Sequence, residues 1–309
     1  MADASPGRLS FTRDGADWPN RDASQFVEAA GLRWHVQRMG SGPVALLLHG
    51  TAASTHSWRD FAPLLAKRFT VIAPDLPGHA FTDRPEASRM SLPGMADAVA
   101  KLMVALDVTP ALAVGHSAGA AVLARMAIDR RIDPALLISL NGALLPFRGV
   151  AAHVFAPLAK LLVQNTLVPK LFSWRASHSG VVEKLLRDTG SSLDPRGVEL
   201  YTRLIRNQEH VTGALEMMAN WDLDALERDL PRLMAPLVLI VGGDDKTISS
   251  EDAFRVRDRV PNATIEYLRG LGHLAHEERP NQLADLVMTR YDSIVLGKTN
   301  APSIVVPQP

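Results

Sequence analysis

The stretch Ala113–Ala120 reads AVGHSAGA and places Ser117 between two glycines, Gly115 and Gly119. An apolar run precedes it and a helix-forming run follows it. Gly-x-Ser-x-Gly between a buried strand and a helix is the pattern of a nucleophile elbow, a turn so sharp that the two backbones nearly touch. Side chains at the glycines would clash, and the serine is expected to have a strained backbone. The stretch therefore predicts a serine nucleophile at the end of a strand.

Short apolar runs alternate with amphipathic segments along most of the chain. The runs typical of buried strands are VALLLHG (44–50), FTVIAPD (69–75), ALAVGH (111–116), ALLISLNG (135–142), APLVLIVGG (235–243) and ATIEYLRG (263–270). The helical segments are HSWRDFAPLLAKR (56–68), LPGMADAVAKLMVALD (92–107) and SSEDAFRVRDRV (249–260), and residues 25–40 have a hairpin pattern. This alternation predicts an α/β fold with a mostly parallel, doubly wound sheet.

The alternation stops from about Ala143 to Pro231, where the patterning is helical throughout. We expect this segment to be a helical cap, inserted after the fourth buried strand and placed over the ends of the sheet. The chain then divides into a polar, loosely held N-terminal arm, an α/β core in two segments, the cap and a C-terminal tail, at 1–23, 24–142 with 232–296, 143–231 and 297–309.

Composition excludes several classes of protein. The 33 Lys and Arg residues balance 33 Asp and Glu residues, which disfavours a nucleic-acid partner. The absence of cysteine excludes disulfides and thiolate metal sites. There is no apolar signal core and no apolar run of the ~18 residues that a membrane span needs, so we expect a soluble, cytoplasmic protein without a transmembrane segment.

Cofactor motifs are also missing. Gly40–Ala45 fits a loose G-x-G-x-x-A, but a strand follows it instead of a helix, so it is not a dinucleotide site. No Walker-type motif is present, and no His, Asp or Glu cluster has the spacing of metal ligands. We therefore expect neither a cofactor nor a bound metal.

Later strand ends carry the acid and the base that a serine nucleophile needs. Asp244 and Asp245 follow the run 235–243, and His273 and His276 follow the run 263–270. Both positions lie at carboxyl ends of strands, where open α/β sheets place their sites. The residue types alone leave open which aspartate and which histidine act with Ser117.

The first buried strand ends in His49-Gly50-Thr51-Ala52. A strand that ends in His-Gly leaves the next backbone amide free to point at the site. We therefore expect the backbone N–H groups of Thr51 and Ala118 to form an oxyanion hole, in which each donor lowers the barrier by about 3 kcal/mol. His49 and His116 are expected to brace the two glycine turns.

The ordered motifs HGTAAS, DLPGHAFTDRP, GHSAG, GGDD and GHLAHEERP resemble those of the α/β-hydrolase superfamily over residues 25–296. The resemblance implies the catalytic triad Ser117, His273 and Asp245, because the family patterns are G-x-x-D and G-H-x-x-x-x-E-x-P. It makes a chance match at the serine improbable. Asn141 stands where some relatives carry the acid and offers no carboxylate. The residues expected to line the substrate pocket are His49, Ala52, Phe147, Phe155 and His276.

Two positions depart from the superfamily pattern. Ala52 and Ala80 replace the usual glycines of HGTG and PGHG, and each methyl group is expected to narrow the mouth of the pocket. A closer resemblance, over 17–43, 47–82 and parts of the cap, is to the magnesium-chelatase accessory proteins of bacteriochlorophyll biosynthesis. It implies a role near magnesium insertion into protoporphyrin, or at a later step, and contact with magnesium chelatase.

The first part of the cap has an unusual charge distribution. Gly142–Val182 is strongly apolar and contains no Asp or Glu; its cations are Arg148, Lys160, Lys170 and Arg175. An apolar lining with fixed cations suits an amphipathic anion, such as a porphyrin with carboxylate or methyl-ester arms. Peripheral contact with an anionic membrane surface is a second interpretation, although prolines interrupt any long helix. The third is an ordinary cap that packs on the core.

Three functions remain compatible with these residues. The first is a serine hydrolase acting on an ester or related acyl bond of a small molecule, such as a tetrapyrrole ester. The second is a non-catalytic accessory or carrier protein that binds a porphyrin or magnesium chelatase, which the complete triad disfavours. The third is a cofactor-free perhydrolase or haloperoxidase, which the large apolar cap disfavours. Ser117 excludes the aspartate nucleophile of dehalogenases and epoxide hydrolases.

Overall fold

The computed structural model describes residues 8–146, 180–295 and 297. An eight-stranded sheet runs through its centre. The strands are β1 (Ser24–Ala29), β2 (Leu32–Met39), β3 (Val44–Leu48), β4 (Thr70–Pro74), β5 (Pro110–His116), β6 (Leu136–Leu140), β7 (Leu237–Gly242) and β8 (Ala263–Leu268). Every predicted strand is present, and β1 and β2 form the predicted hairpin.

The strand order in the sheet is β1-β2-β4-β3-β5-β6-β7-β8. β2 pairs antiparallel with β1 and β4, and all other neighbours are parallel. The central strands are buried at nearly every position because both faces are covered, which explains their continuous apolar runs. The chain order reverses at β3, and open α/β sheets bind ligands beside such a reversal, beyond the carboxyl ends of the strands.

Helices cover both faces of the sheet and also occur in the N-terminal arm and the cap. They are α1 (Phe11–Asp14), α2 (Ala62–Leu65), α3 (Leu92–Ala105), α4 (Ala118–Ile128), α5 (Val181–Asp188), α6 (Pro195–Ile205), α7 (Gln208–Ala219), α8 (Asp224–Asp229), α9 (Ser250–Arg257), α10 (Ala275–Glu278) and α11 (Pro280–Val295). Leu46 and Leu48 of β3 belong to the apolar layer of α3 and α4, whereas Leu47 belongs to the layer of α11. Alternate residues of one strand enter opposite layers, which confirms the doubly wound fold.

The prediction of one helix at 56–68 is wrong. A 3₁₀ helix, Thr55–Trp58, and the single turn of α2 occupy this segment. Pro63 lies in the first turn of α2, where its missing amide hydrogen is tolerated. The same proline would break a helix that had begun at His56.

The expectation of a loosely held arm is wrong for the described residues 8–23. The Trp18 side chain is only 2% exposed, and its indole N–H donates to Thr55 Oγ1 at 3.1 Å. Asp17 forms ion pairs with Arg196 and Arg203 of α6. One aromatic anchor and one carboxylate therefore fix a segment that looks patternless by composition.

The described part of the cap, 180–231, follows β6 and is helical, with α5 to α8 in it. This agrees with an insertion after the fourth buried strand. Most of the cap residues on which the amphipathic-anion and membrane interpretations depend, including all four cations, lie outside the described residues, as do the predicted pocket residues Phe147 and Phe155. Those interpretations therefore remain predictions.

Candidate active site

Ser117 stands at a strained turn between β5 and α4. Its φ is +50° and its ψ is −118°, in a region that residues with a Cβ atom rarely adopt. A Cβ atom on Gly115 would lie 2.4 Å from Ala120 N, and one on Gly119 would lie 2.2 Å from Leu48 O. Because neither backbone atom has room to move away, both positions require glycine. The turn thus has the geometry of a nucleophile elbow.

The residues predicted as acid and base, Asp245 and His273, meet on adjacent loops. The Asp245 carboxylate lies 2.8 Å from His273 Nδ1, and both side chains are almost fully buried. Its second oxygen accepts hydrogen bonds from the Thr247 and Ile248 amides, whereas Asp244 is exposed. Since a carboxylate only accepts, His273 Nδ1 carries the hydrogen and Nε2 is left to accept a proton.

Ser117 is half-buried at the same edge of the sheet. No hydrogen bond within the described chain joins it to His273. Such catalytic contacts are often long in a free site and shorten when substrate is bound. His273 is therefore bonded directly to Asp245, and Ser117 lies at the same edge of the sheet.

Asn141 anchors the loop that carries His273. The Asn141 amide nitrogen donates to Gly272 O at 2.9 Å and to His273 O at 2.8 Å, while its side-chain oxygen accepts from Gly242 N at 2.7 Å. The residue thereby ties the end of β6 to the end of β7 and to the histidine loop. Sequence reasoning treated Asn141 only as a missing acid. A polar residue directly after a buried strand was the available signal.

The ring of His116 lies between the rings of His273 and His276, with centroids 4.7 and 4.5 Å away. Its Nε2–H donates to His273 O at 2.9 Å. Burial lowers the pKa of His116 well below its usual value, so the ring is neutral. It braces the elbow against the histidine loop, as expected from the sequence, without adding charge beside His273.

Gly50, Thr51, Ala52 and Ala53 form a tight turn beside the elbow, in which Ala53 N donates to Gly50 O at 3.2 Å. We call these four residues the oxyanion turn, after the role predicted for Thr51. Gly50 lies so close to the elbow that a Cβ atom on it would be 3.0 Å from Ser117 Cβ. Ala118 is the first residue of α4, where a backbone N–H has no partner within the helix. Of the two predicted oxyanion donors, Ala118 thus follows Ser117 directly, and Thr51 follows Gly50, which lies against Ser117.

Three of the positions expected at the pocket are buried instead. His49 and His276 are buried, at 0% and 1% exposure, and do not line an open pocket. His49 instead braces the turn: its Nε2 accepts from Leu76 N, and its Nδ1 bonds to Gly50 O. Ala80 is buried beside Phe81 and so does not narrow the pocket mouth. Ala52 is half-exposed, as a rim position requires.

The cap contacts the acid and histidine loops through Thr189–Ser191, the cap turn. Ser191 Oγ accepts from Leu274 N at 2.8 Å, and Thr189 O accepts from Lys246 N at 3.1 Å. A Cβ atom on Gly190 would lie 1.9 Å from Asp244 O. Sequence reasoning missed this contact because a glycine after a helix predicts only a C-cap. The cap turn therefore packs directly against the two loops that carry Asp245 and His273.

A buried charge network adds a second attachment of the cap. Glu277 accepts hydrogen bonds from the Tyr201 hydroxyl of α6 at 2.8 Å and from Arg59 at 2.7 Å. Arg59 also pairs with Asp194 at the start of α6. Since each partner satisfies the others, α6 is fixed to the core beside α10.

Neither a membrane span nor a metal cluster occurs among the described residues. No helix there has the length and hydrophobicity to cross a bilayer. No three His, Cys, Asp or Glu side chains converge there as metal ligands would. The polar groups that do meet at the carboxyl edge of the sheet are those of the elbow, the oxyanion turn and the His273–Asp245 pair.

Comparison with known proteins gives consistent results. The sequence pattern of the alpha/beta hydrolase family matches residues 45–286. A magnesium-chelatase 30 kDa subunit from Rhodobacter capsulatus is 38% identical over 275 residues, which span 88% of this chain and 96% of that protein. These two matches cover most of the chain.

Solved structures agree in fold. An alpha/beta hydrolase fold protein from Burkholderia ambifaria has a TM-score of 0.71 at 22% identity, covering 86% of this chain and 100% of that one. The epoxide hydrolase CorEH has a TM-score of 0.72 at 22% identity, covering 88% and 99%. At these identities the likeness shows the fold alone. From the family match and the 38% identity, the chain belongs to the alpha/beta hydrolase family and, within it, to the family of the magnesium-chelatase 30 kDa subunit.

Proposed function

We propose that this chain is a serine hydrolase that cleaves an ester or related acyl bond and acts in tetrapyrrole biosynthesis near the magnesium-chelation step. The observation that carries the chemical part is the buried Asp245–His273 pair at 2.8 Å, at the same sheet edge as a serine held at φ +50°. Strain at a non-glycine residue persists only where the surrounding structure enforces it, and it is frequent at functional sites.

The proposed reaction has two halves. Ser117 Oγ attacks the acyl carbon and passes its proton to His273 Nε2, while Asp245 holds the imidazole in the required tautomer. The oxyanion forms near the amides of Thr51 and Ala118 at the start of α4, whose dipole favours negative charge. His273 then protonates the leaving alkoxide. Water attacks the acyl-enzyme by the same route in reverse and regenerates the Ser117 hydroxyl.

The buried neighbours of His273 support this role electrostatically. Burial lowers the pKa of His276 to about 3 and that of His116 well below its usual value. Both rings are therefore neutral at physiological pH. The positive charge that His273 gains during acyl transfer would meet no positive charge on these two buried rings, and Asp245 would stabilise it.

The pathway part of the proposal rests on the 38% identity to a magnesium-chelatase 30 kDa subunit. A tetrapyrrole ester is the small-molecule substrate class that suits this relative and the apolar, cationic composition of residues 142–182. Contact with magnesium chelatase and a cytoplasmic location belong to the same proposal. The chemistry needs no cofactor, since the acid, base and nucleophile are all side chains.

The first test is covalent labelling of the purified protein by a fluorophosphonate, with the modified residue located by mass spectrometry. We expect labelling at Ser117 and none in Ser117→Ala. Ser139→Ala, which removes a buried serine of the neighbouring strand β6, is the matched control and should label like the wild type. A folded wild-type protein that is not labelled would contradict the hydrolase proposal and favour a non-catalytic carrier.

The second test addresses the substrate class. Turnover of p-nitrophenyl esters would be compared with hydrolysis of protoporphyrin dimethyl ester, followed by chromatography of the released carboxylic acid. We expect the porphyrin ester to have the higher kcat/KM and both activities to disappear in Ser117→Ala. Tight porphyrin binding without hydrolysis, unchanged in Ser117→Ala, would contradict the proposed reaction.

A further inference from the structure

One face of the cap helix α7 lies on the turns beside the proposed oxyanion hole. His210, Gly213 and Met217 follow one another at spacings of three and four residues, so they share a face of the helix. A Cβ atom on Gly213 would lie 2.1 Å from Gly78 O, and Met217 Sδ accepts a hydrogen bond from the Thr51 hydroxyl at 3.6 Å. The helix therefore contacts both the oxyanion turn and the loop after β4 without a gap.

His210 joins these two segments through its ring. Ala80 N donates to His210 Nδ1 at 3.0 Å, and His210 Nε2 lies 3.1 Å from Ala52 O. A backbone N–H only donates and a carbonyl oxygen only accepts, so Nδ1 is unprotonated and Nε2 carries the hydrogen. Burial lowers the pKa of His210 to about 4, in agreement with this neutral tautomer. Both ring nitrogens are thus committed to backbone atoms of the core.

Both residues that the ring contacts have a left-handed backbone. The φ angles are +62° at Ala52 and +44° at Ala80, where glycine would adopt the conformation without strain. Ala52 is the third residue of the oxyanion turn, the position at which a type II turn favours glycine. An alanine there leaves the turn less stable by itself, so an external contact has more influence on its conformation.

The contact is one residue away from the proposed oxyanion donor. His210 bonds the carbonyl of Ala52, and Ala52 follows Thr51 directly. The start of the same turn, Gly50, lies against Ser117 Cβ. Movement of the Ala52 peptide would reorient the backbone of Thr51. An oxyanion donor has to lie within about 0.5 Å of its productive position, so this movement would weaken the contribution of the Thr51 N–H.

We propose that His210 is a positioning residue, which fixes the oxyanion turn from the cap through its Nε2–H···O=C bond to Ala52. The inference rests on the proposed hydrolase function. It makes the cap part of the catalytic apparatus, since removing one cap side chain would impair a donor on the core. It also explains how this chain functions with alanine at two turn positions where glycine is usual.

Two conservative variants separate the two bonds of the ring. The amide nitrogen of His210→Gln reaches the position of Nε2, so this variant keeps the bond to Ala52. The side-chain oxygen of His210→Asn reaches the position of Nδ1, so that variant keeps only the bond to Ala80. Thr212→Ala is the matched control, because Thr212 lies on another face of α7 and bonds only to Gln208 O among the described residues.

The measurement is kcat and KM for a p-nitrophenyl ester, together with the melting temperature of each variant. We expect kcat to fall ten- to hundredfold in His210→Asn with KM little changed, because an oxyanion donor acts in the transition state. His210→Gln should retain kcat within about threefold and Thr212→Ala should match the wild type. Equal kcat values for the Gln and Asn variants would overturn the inference, whatever their melting temperatures.

A spectroscopic readout keeps this test independent of the proposed function. Backbone amide NMR shifts of Gly50 to Ala53 should move in His210→Asn and remain close to wild type in His210→Gln. Unmoved shifts in the Asn variant would refute the positioning role even if the enzyme were active. Absence of esterase turnover in the wild type, with the shifts moving as expected, would instead refute the hydrolase proposal and leave the structural link intact.

Discussion

The two halves of the candidate site are held by different kinds of structure. The elbow is fixed by close contacts between backbones, because neither Gly115, against Ala120 N, nor Gly119, against Leu48 O of the neighbouring strand, has room for a Cβ atom. The His273–Asp245 half is fixed by remote contacts: Asn141 lies 131 residues from Gly272, and Ser191 lies 83 residues from Leu274. The first half therefore depends on steric exclusion between packed backbones, and the second depends on single side-chain hydrogen bonds between distant segments.

Gly119→Ala breaks the elbow half and should have the largest effect on stability. The new Cβ atom would lie 2.2 Å from Leu48 O, a strand atom that has no room to shift. We expect the free energy of unfolding to fall by about 3 kcal/mol or more, measured by urea denaturation. Gly197→Ala is the control, since the nearest neighbours of its Cβ atom would be side-chain atoms, the closest that of Arg59 at 3.1 Å, instead of a strand backbone atom, and its loss of stability should be clearly smaller. Equal losses would contradict the steric explanation.

Asn141→Asp breaks the remote half without changing side-chain volume. It replaces a donor to two carbonyl oxygens with an acceptor, so buried oxygens would face each other at the present distances of 2.8 and 2.9 Å. We expect a loss of about 2 to 3 kcal/mol in unfolding free energy and a lower kcat, because the His273 loop loses its anchor. The exposed Asn262 also donates to a carbonyl, that of Met234, and Asn262→Asp should be nearly neutral. A wild-type kcat in Asn141→Asp would show that the remote contacts do not position His273.

Buried histidines near both halves should make the protein sensitive to acid. Burial lowers the pKa of six of them in the described chain: His49, His56, His79, His116, His210 and His276. Below about pH 6.5 the unfolded chain binds protons that the folded chain excludes. Stability is therefore complete above that pH and falls as the pH decreases toward the folded-state pKa values, by up to about 1.4 kcal/mol per pH unit for each group.

His276→Leu isolates one of these contributions. Neither ring nitrogen of His276 has a hydrogen-bond partner among the described residues, so the apolar replacement should cost little near pH 7. Between pH 6.5 and about pH 5 the variant should lose roughly 1.5 kcal/mol less unfolding free energy than the wild type. Urea denaturation at both pH values measures the difference. The same pH dependence in both proteins would contradict the neutral, buried assignment.

Ser191→Ala tests one further contact of the His273–Asp245 half and should have the smallest effect of these variants. It removes the acceptor for Leu274 N and so measures how much the cap turn contributes to the histidine loop. We expect a loss of about 1 kcal/mol in unfolding free energy and a two- to fivefold fall in kcat. Ser249→Ala, which removes a more exposed capping serine of α9, should leave kcat unchanged. An identical kcat in both variants would assign the cap turn a structural role only.

The same contrast explains what the sequence could predict. The strands and the elbow were predictable because their signals are local: continuous apolar runs, and glycines where backbones must approach. The prediction of one helix at 56–68 is wrong because it follows the apolar periodicity of the segment, whereas Pro63 breaks a helix that begins at His56. The arm was mispredicted because its polar composition concealed Trp18, whose role depends on a partner, Thr55, in another segment.

The supporting residues of the site were not predictable for the same reason. Asn141, Ser191 and His210 act through single hydrogen bonds to backbone atoms far away in the chain. The place of Asn141 directly after a buried strand indicates a role, but nothing in the residues around the three identifies the distant backbone atoms that they bond. By contrast, Ser117 and His273 lie in motifs whose spacing is set by the fold itself.

The most direct test of the proposed catalytic unit compares Ser117→Ala, His273→Ala and the double variant by kcat for an activated ester. The two side chains show no mutual hydrogen bond in the described chain, so their coupling has to be measured. If they act as one unit, each single variant should lose about 10⁴-fold or more, and the double variant should be no worse than the poorer single variant. Losses that multiply, or turnover that survives in Ser117→Ala, would contradict a Ser117–His273–Asp245 triad.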